Sequence, residues 1–450
     1  AGSRYRERTT TRELTLTANY LWRIDTLGSE LRLIADYTRY GTDGNNRYRS
    51  VSIAPDRRQD SLYRSDARSR YDILTAELAL TRKLPHDMTL RTGMRYTRNG
   101  MDDRTRYEAR NPEIWYELPD YGYRRRHTEQ IGAAYASLGY GGGRWELSAG
   151  LRGEYTAVSA RDFGQEYFSL FPSVSANYAL NGLRTWMLVA QWSRNIERPS
   201  FPHLNPARTQ LSDYSYQTGN PALRPTYIHR LSLTAVWRYR YSLTVGGNLH
   251  HDLIREIAST DAENPDVVRI RPENHYTENH WFAALSAPMR ILRRLNFTLN
   301  AVGVMQRIRL DRHDDAATHC MLFADATLAL TLPREFYLEA VYRAQTRLYS
   351  GNAEIGPRNT LSATLRKRCF DKRLTLFVTA ENLTGCGWEF ASVTGGMRRT
   401  IRGDMAWTGR IWKIGATWNF RAGKEVRQHR IESAADTERR RLTKNNEQSK

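Results

Sequence analysis

Regular alternation of apolar and polar side chains is the feature that most constrains how this chain can fold. Residues 11–24 and 410–420 each place apolar side chains on one face and mostly polar ones on the other. A period of two residues is that of a β-strand. Because nearly every such segment has a polar face, we expect one side of the sheet to meet water and the other hydrocarbon. The apolar faces are Leu14, Leu16, Ala18, Tyr20, Trp22 and Ile24 in the first segment, and Trp412, Ile414, Ala416, Trp418 and Phe420 in the second.

The overall composition is compatible with a membrane-spanning barrel although it is polar. The mean hydropathy is −0.67 over 450 residues. In a barrel only alternate residues of each strand touch lipid, so half of the wall is free to be polar. No run approaches the roughly 18 consecutive apolar residues of a transmembrane helix. We therefore predict an all-β fold, an antiparallel transmembrane β-barrel.

The alternation predicts about 16–18 strands, and our assignment has seventeen. A bacterial barrel of this kind has an even strand number, so an odd count means either that one strand is missing from the assignment or that the chain forms part of a larger barrel. The absence of a visible signal peptide favours the second explanation. The predicted strands are 11–24, 29–41, 69–83, 88–103, 122–139, 144–160, 166–180, 183–197, 226–239, 241–258, 268–288, 293–311, 319–333, 335–349, 358–370, 373–389 and 405–421.

The connections between these strands alternate in length. Short links such as Asn181-Gly182 follow the odd strands, and longer polar loops follow most of the even ones. Short periplasmic turns opposite long extracellular loops are typical of bacterial outer-membrane barrels. This asymmetry predicts the cell outer membrane of a Gram-negative bacterium, with outer-membrane lipid and lipopolysaccharide as neighbours. The predicted loops are 42–68, 104–121, 161–165, 198–225, 259–267, 312–318, 350–357 and 390–404.

Aromatic residues make up 11% of the chain, and many lie near predicted strand ends, among them Trp22, Tyr40, Trp186, Trp237 and Trp412. Rings at both ends of an apolar band form the girdles of membrane barrels. Ordinary cross-strand aromatic packing is the alternative. The number of strands that carry such rings favours the girdles.

The remaining sequence signals exclude several classes of function. The net charge is +20, but the basic residues are spread along the chain, which disfavours a nucleic-acid partner. Cys320, Cys369 and Cys386 show no disulfide or zinc spacing. No nucleophile elbow, phosphate loop or metal-ligand motif occurs. We predict no catalytic, cofactor or metal residues, no cofactor and no enzymatic activity.

Charged residues on the polar faces of the strands are expected to line the lumen. Their role stays open between pairing across the wall or holding a plug in the lumen, and setting selectivity for a solute. They are Arg32, Asp36, Glu77, Arg91, Arg95, Glu146, Arg152, Glu154, Arg230, Glu339, Arg343 and Glu381.

Two regions differ in character, 1–421 and 422–450. The first carries the alternation throughout and is predicted to be the barrel. The second is basic, has no apolar face and is predicted to be a disordered periplasmic tail. A docking segment is the alternative for this tail.

One predicted loop carries a motif of fixed spacing. It reads R-P, then L-N-P, then G-N-P-A-L-R-P between two strands, and it resembles an extracellular loop in the barrel of TonB-dependent receptors. Residues 380–384 (AENLT) and 416–424 (ATWNFRAGK) resemble that family's last two strands. The resemblance covers about residues 11–425. The loop motif consists of Arg198, Pro199, Asn205, Pro206, Gly219, Asn220, Pro221, Leu223 and Pro225.

The resemblance implies a role in uptake. The chain would be the C-terminal portion of a 22-strand barrel, with an N-terminal plug and the TonB complex as further parts of the receptor and an unknown solute as cargo. Neither a plug nor a TonB box is found in these residues. A passive barrel and a non-transporting, adhesin-like binding or structural barrel are the alternatives. The proline-rich loop would be a rigid lid over the barrel mouth or a direct solute contact.

Overall fold

A computed structural model describes most of the chain. The described residues are 2–54, 57–111, 114–160, 163–212, 214–310, 312–313, 315–385, 387–394, 397–403, 409–420 and 433–447. In these residues strand is the dominant structure, with two single-turn 3-10 helices (Pro119–Tyr121 and Pro202–Leu204) and one α-helix. Within the described residues, the model contains no helix with the length and apolar character needed to cross a membrane.

The described strands follow one another along the chain. They are β1 (Gly2–Arg23), β2 (Glu30–Ala54), β3 (Arg57–Leu84), β4 (Met88–Asn111), β5 (Ile114–Glu117), β6 (Tyr123–Gly142), β7 (Trp145–Ala160), β8 (Phe163–Ala179), β9 (Trp186–Glu197), β10 (Thr209–Ser212), β11 (Ser215–Gln217), β12 (Thr226–Trp237), β13 (Tyr241–Thr260), β14 (Val268–Leu292), β15 (Leu295–Arg309), β16 (Ala317–Leu332), β17 (Phe336–Gln345), β18 (Leu348–Ser350), β19 (Ala353–Ile355), β20 (Arg358–Cys369), β21 (Leu374–Glu381), β22 (Trp388–Thr394), β23 (Met397–Gly403) and β24 (Ile411–Trp418). The helix α1 spans Asp436–Glu447.

Seventeen of these strands form one continuous antiparallel wall. Each pairs with the next along the chain, from β1 to β24, with the short strands β5, β10, β11, β18, β19, β22 and β23 lying outside the succession. Each of the seventeen overlaps one predicted strand, although β1, β2 and β3 extend well beyond the predicted bounds. The antiparallel all-β prediction is thus confirmed.

The two faces of the wall differ as the alternation predicts. In β3, Tyr71, Ile73 and Thr75 are buried, whereas Leu74 and Leu78 are exposed. Exposed leucine and tryptophan side chains recur on the same outer face around the wall. The polar residues therefore point into a lumen and the apolar ones outward, the arrangement of a barrel in lipid.

The short links on one side are tight turns. His86 and Asp87 have φ of 60° and 57°, and Arg334 and Glu335 have φ of 60° and 61°. Two successive residues with positive φ form the turn whose twist matches an antiparallel hairpin. The predicted side of short connections is therefore present, built largely from non-glycine residues.

Two predicted long loops are in fact extended hairpins. The register of β2 and β3 runs unbroken from Glu30 opposite Thr81 to Ala54 opposite Arg57, through the predicted loop 42–68. In the predicted loop 104–121, β4 likewise continues and forms a hairpin with β5, from Glu108 opposite Glu117 to Asn111 opposite Ile114. The loop prediction is wrong here because hydropathy alternation ends where lipid ends, whereas backbone pairing continues into water.

The four short strands β18, β19, β22 and β23 form a second, small sheet. Its charges pair closely: Glu354 lies 2.6 Å from both Arg347 and Arg398, and Glu389 lies 2.9 Å from Arg402. This sheet occupies parts of the predicted loops 350–357 and 390–404.

The segment 433–447 corrects the predicted disorder of the tail. It forms α1, and Ala434 and Ala435 before the helix are buried. Its first turn carries Asp436 and Glu438, which suit the positive end of a helix. The segment lacks an apolar face, so hydropathy could not reveal a helix that is held by polar contacts. Residues 422–432 and 448–450 lie outside the described residues.

A small apolar cluster lies inside the lumen. Tyr40, predicted as a girdle residue, instead packs on this cluster, with its ring centroid 6.0 Å from that of Tyr71. Trp22, Trp186, Trp237 and Trp412 are exposed on the outer face, as girdle residues would be. The cluster itself consists of Tyr71, Ile73, Met101, Phe201, Ala435 and Leu442.

Neighbouring residues on β16 test the orientation of the wall. Leu328 is 40% exposed on the outer face, and Thr327 points to the lumen. We expect Leu328→Arg to lower the free energy of unfolding in lipid vesicles by about 2–4 kcal/mol, because it places a charge in hydrocarbon. Thr327→Arg should lower the free energy of unfolding by about 1 kcal/mol or less, because it places the charge in the lumen. Equal losses for the two variants, measured by denaturant titration, would contradict this orientation.

Candidate functional site

The proline-rich loop between β9 and β12 is anchored at its first residue. Arg198 lies 2.6 Å from Glu154 and 3.9 Å from Glu129, and its side chain is 9% exposed. It also donates to Thr156 Oγ1 at 3.1 Å, and Glu154 accepts a further bond from Arg152 Nε at 2.7 Å. A buried arginine between two carboxylates fixes the loop to the lumenal wall, since removing one partner leaves buried charge uncompensated.

The middle of the loop folds back on itself. The amide of Gly219 donates to Asn205 O at 2.9 Å, and that of Asn220 donates to His203 O at 2.6 Å. A Cβ at Gly219 would lie 2.3 Å from Asn205 O, so only glycine permits this approach. The two halves of the motif, L-N-P and G-N-P, are therefore one folded unit.

The end of the loop is tied to the neighbouring strands. Asn220 Nδ2 donates to Pro272 O at 3.0 Å, and Leu223 is buried. Arg224 lies 2.6 Å from Asp252 and its amide donates to Asn274 Oδ1. The motif residues are thus occupied with holding the loop, which agrees with the rigid-lid alternative.

Part of the loop enters the lumen rather than standing over it. Phe201 is 1% exposed, and its ring stacks on Tyr71 with centroids 5.2 Å apart. Ser200 and Leu204 on either side of it are buried as well. The R-P motif is therefore followed by an apolar anchor, Phe201, which packs on the lumenal wall.

A polar cavity of about 270 Å³ lies between this loop and the lumenal wall. The wall contributes hydroxyl and amide groups from β2 to β4, and the loop contributes His203, Arg208 and Gln217. A concave space lined by donors and acceptors from two elements is where a polar solute group would bind. Its lining includes Thr42, Asn46, Ser65, Ser69, Tyr71, Thr105, Asn205, Thr218 and Gly219.

Arg208 sits among aromatic rings beside this cavity. Its guanidinium carbon lies 3.9 Å from the ring centroid of Tyr216 and 4.5 Å from that of Tyr121. The Tyr216 hydroxyl donates to Asp261, and together with burial this bond raises the pKa of Tyr216 to about 12. Stacking on these rings and a bond from Nε to Gln210 Oε1 at 3.0 Å hold the guanidinium of Arg208 in place beside the cavity.

A buried carboxylate lies further around the lumen. Glu278 is 0% exposed and lies 2.8 Å from both Arg255 and His280 and 3.3 Å from His275. Gln306 Nε2 also donates to it at 2.8 Å. No group of three or more His, Cys, Asp or Glu side chains in the described part of the chain is arranged to hold a metal ion. The cluster is therefore read as an ion-pair network within the wall.

Other predicted lumen charges pair along the wall. Asp36 accepts a bond from Thr17 at 2.6 Å, and Glu381 lies 2.7 Å from Lys413. Arg32 pairs with Glu30 at 2.9 Å. For Arg32 and Glu381, the pairing role that the sequence left open is the one that the contacts support.

Arg198 offers a test of how the loop is held. Arg198→Ala leaves Glu129 and Glu154 buried with one cation fewer, and we expect unfolding to become easier by about 3–5 kcal/mol. Arg184→Ala, which removes a half-exposed pair with Glu146 at 3.1 Å, should change stability by less than about 1 kcal/mol. The measurement is chemical denaturation followed by tryptophan fluorescence. Similar losses in both variants would argue against a loop anchored by Arg198.

The loop should also respond to pH through His203. Burial lowers the pKa of His203 below its ordinary 6.5, and Glu256, 4.0 Å away, opposes this only in part. Below pH 6.5 the opened loop then binds more protons than the closed one, so acid favours opening. We expect hydrogen-exchange protection of residues 202–219 to fall from pH 7.5 to 5.5, by at most about tenfold per pH unit. His203→Gln should abolish this dependence, and an unchanged dependence would disprove the assignment.

Comparison with solved structures identifies proteins of similar fold. The chain matches the ferric-catecholate import receptor Fiu from E. coli K12 with a TM-score of 0.61 and 12% identity, over 92% of this chain and 64% of that one. The copper transporter OprC matches with a TM-score of 0.58 and 13% identity, over 92% of this chain and 72% of OprC. The ferric yersiniabactin uptake receptor FyuA from Yersinia pestis matches with a TM-score of 0.53 and 12% identity, over 87% of this chain and 61% of FyuA. By their names, these structures are transport proteins, and at such identities the likeness concerns the fold.

The chain spans 64% of the length of Fiu and 61% of that of FyuA. Among curated protein sequences, none matches it. A model of the outer membrane protein β-barrel family matches residues 22–418, which include nearly all of the wall. With the seventeen-strand antiparallel wall and its polar lumen, this match confirms the predicted outer-membrane location: the chain belongs to the outer membrane protein β-barrel family.

Proposed function

We propose that this chain forms the wall and a loop of a receptor that takes up a solute across the outer membrane, without catalysing a reaction. In the complete receptor, uptake would be driven through the TonB complex. The polar cavity between the loop and the lumenal wall is the observation that most supports this proposal. It lies where a solute captured outside would enter the lumen.

The proposed solute contact is the cavity lining and not the loop motif itself. The nine motif residues, from Arg198 to Pro225, serve chiefly to hold the loop in place. Arg198 and Asn220 contact the wall, and the amide of Gly219 closes the loop on itself. Arg208, Gln217 and His203 face the cavity from the loop. Arginine stacked on tyrosine suits a solute with planar or anionic groups. The solved relatives carry metals or metal chelates by name, which makes such solutes the first to test.

The experiment uses uptake by Gram-negative cells that express the complete receptor. A panel of a ferric catecholate, ferric yersiniabactin and Cu²⁺ is offered, and accumulated metal is measured. We expect one of these to accumulate in cells with TonB and not in cells without it. Uptake that persists without TonB would support the passive barrel, and surface binding with no uptake would support the adhesin-like alternative.

The role of the cavity in uptake is tested by substituting one arginine at each end of the barrel. Arg208→Ala removes a positioned cation from the mouth, and we expect uptake at low solute concentration to fall about tenfold. Arg238→Ala is the matched control, because it lies in the turn between β12 and β13 against Trp237, at the opposite end of the barrel. Uptake by this control should be unchanged, with equal amounts of both proteins in the membrane. An equal fall in both variants would reject the cavity as the solute contact.

A further inference from the structure

The C-terminal segment lies inside the lumen against the wall from β1 to β6. Its start is held by Asp36 of β2, whose Oδ2 accepts the amides of Ala434 at 2.6 Å and Ala435 at 3.2 Å. Arg95 of β4 donates to the carbonyl of Ala434. Asp36 is 1% exposed, so a buried carboxylate meets the positive end of the helix, where it is most favourable.

Arg441 holds the middle of the segment. It forms ion pairs with Glu129 of β6 and with Glu438, at 2.7 Å for the latter, and Nε donates to Pro199 O at 3.2 Å. Asn99 of β4 donates to both carboxylates, at 2.8 and 2.9 Å. These charges are shielded from water, so displacing the helix by one turn would leave several of them unpaired.

Apolar contacts complete the docking. Ala435 is 0% exposed and Leu442 is buried, and both belong to the lumenal cluster with Ile73 and Met101. The guanidinium carbon of Arg441 lies 4.4 Å from the ring centroid of Phe201. The segment therefore packs at once on the wall and on the residues that the proline-rich loop inserts into the lumen.

The charges on the two surfaces are complementary. The wall supplies Glu13, Asp36 and Glu129, and the segment supplies Arg439 and Arg441 together with the start of a helix. Arg439 lies 2.7 Å from Glu13 of β1. The carboxylates that the segment contacts on the wall lie more than 300 residues away in sequence. A basic helix with such partners fits a lumen lined with carboxylates better than a free end in water.

We propose that residues 433–442 are an internal stopper. The lumenal face of β1 to β6 is their docking surface, and a solute can pass along this side of the lumen only after the segment has left it. Release of the segment uncovers Ile73 and Met101 without any movement of the wall strands. This goes beyond the proposed uptake, and its test needs no known solute.

The experiment measures cysteine reactivity in outer-membrane fragments that are open on both sides. In the full chain, Cys320, Cys369 and Cys386 are replaced by serine. Three single cysteines are then introduced: Ala435→Cys in the segment, Ile73→Cys beneath it and Leu27→Cys in an exposed turn. Each chain is labelled with a hydrophilic maleimide, alone and combined with Arg441→Ala or Arg439→Ala. Heat-modified migration in gels confirms that each barrel is folded.

If the segment is docked, the Ala435→Cys chain reacts at least about tenfold more slowly than the Leu27→Cys chain. Arg441→Ala should raise the rates of both the Ala435→Cys and Ile73→Cys chains about tenfold or more, because buried Glu129 and Glu438 lose their partner. Arg439→Ala removes the half-exposed ion pair with Glu13 and should change both labelling rates by less than about threefold.

Two results would overturn the proposal. Reaction of the Ala435→Cys chain as fast as the Leu27→Cys chain would mean that the segment is not docked. A rise for Ala435→Cys without a rise for Ile73→Cys, in the Arg441→Ala background, would mean that the segment leaves but does not cover the lumen.

Discussion

The requirement that every backbone amide and carbonyl of the wall find a partner governs this structure. Hydrocarbon offers no hydrogen bonds, so a strand in lipid must be paired on both sides along its whole apolar length. Fifteen of the seventeen wall strands pair with a neighbour on each side, with registers that run unbroken over as many as 25 residue pairs, as between β2 and β3. Among the described strands, β1 pairs with β2 alone and β24 with β21 alone. Once pairing is fixed, the alternation of side chains decides which face meets lipid and which encloses water.

Polar residues on the inner face create a second requirement, because charges crowded in a narrow lumen need partners. The wall meets it in two ways. Neighbouring strands pair their own charges, as Glu381 and Lys413 do. Elsewhere the partner comes from outside the wall, as when Arg198 enters between Glu129 and Glu154. The same carboxylates that keep the wall polar thus become the anchoring points for segments that fold into the lumen.

Sequence reasoning succeeded where one local rule decides the structure. Each wall strand was predictable, because lipid on one side imposes a period of two that any stretch such as 322–332 displays on its own. It failed where that rule no longer applies. Residues 42–54 and 57–68 are polar on both faces, so their pairing left no trace in hydropathy. The motif from Arg198 to Pro225 was recognised as a unit, but its spacing could not show that Phe201 turns inward, since that depends on Tyr71 of β3.

The order of the C-terminal segment could not be predicted from local sequence patterns. Glu438 and Arg441 are spaced to pair on a helix, and this was a local signal that could have been noticed. A polar helix of twelve residues is nevertheless marginal in water, so this spacing alone does not predict order. Order comes from Asp36 and Glu129, each more than 300 residues away, and these contacts exist only when the wall strands that carry the two carboxylates have paired. The segment is therefore ordered by the barrel, and whatever weakens its hold on those two carboxylates frees both the segment and the surface beneath it.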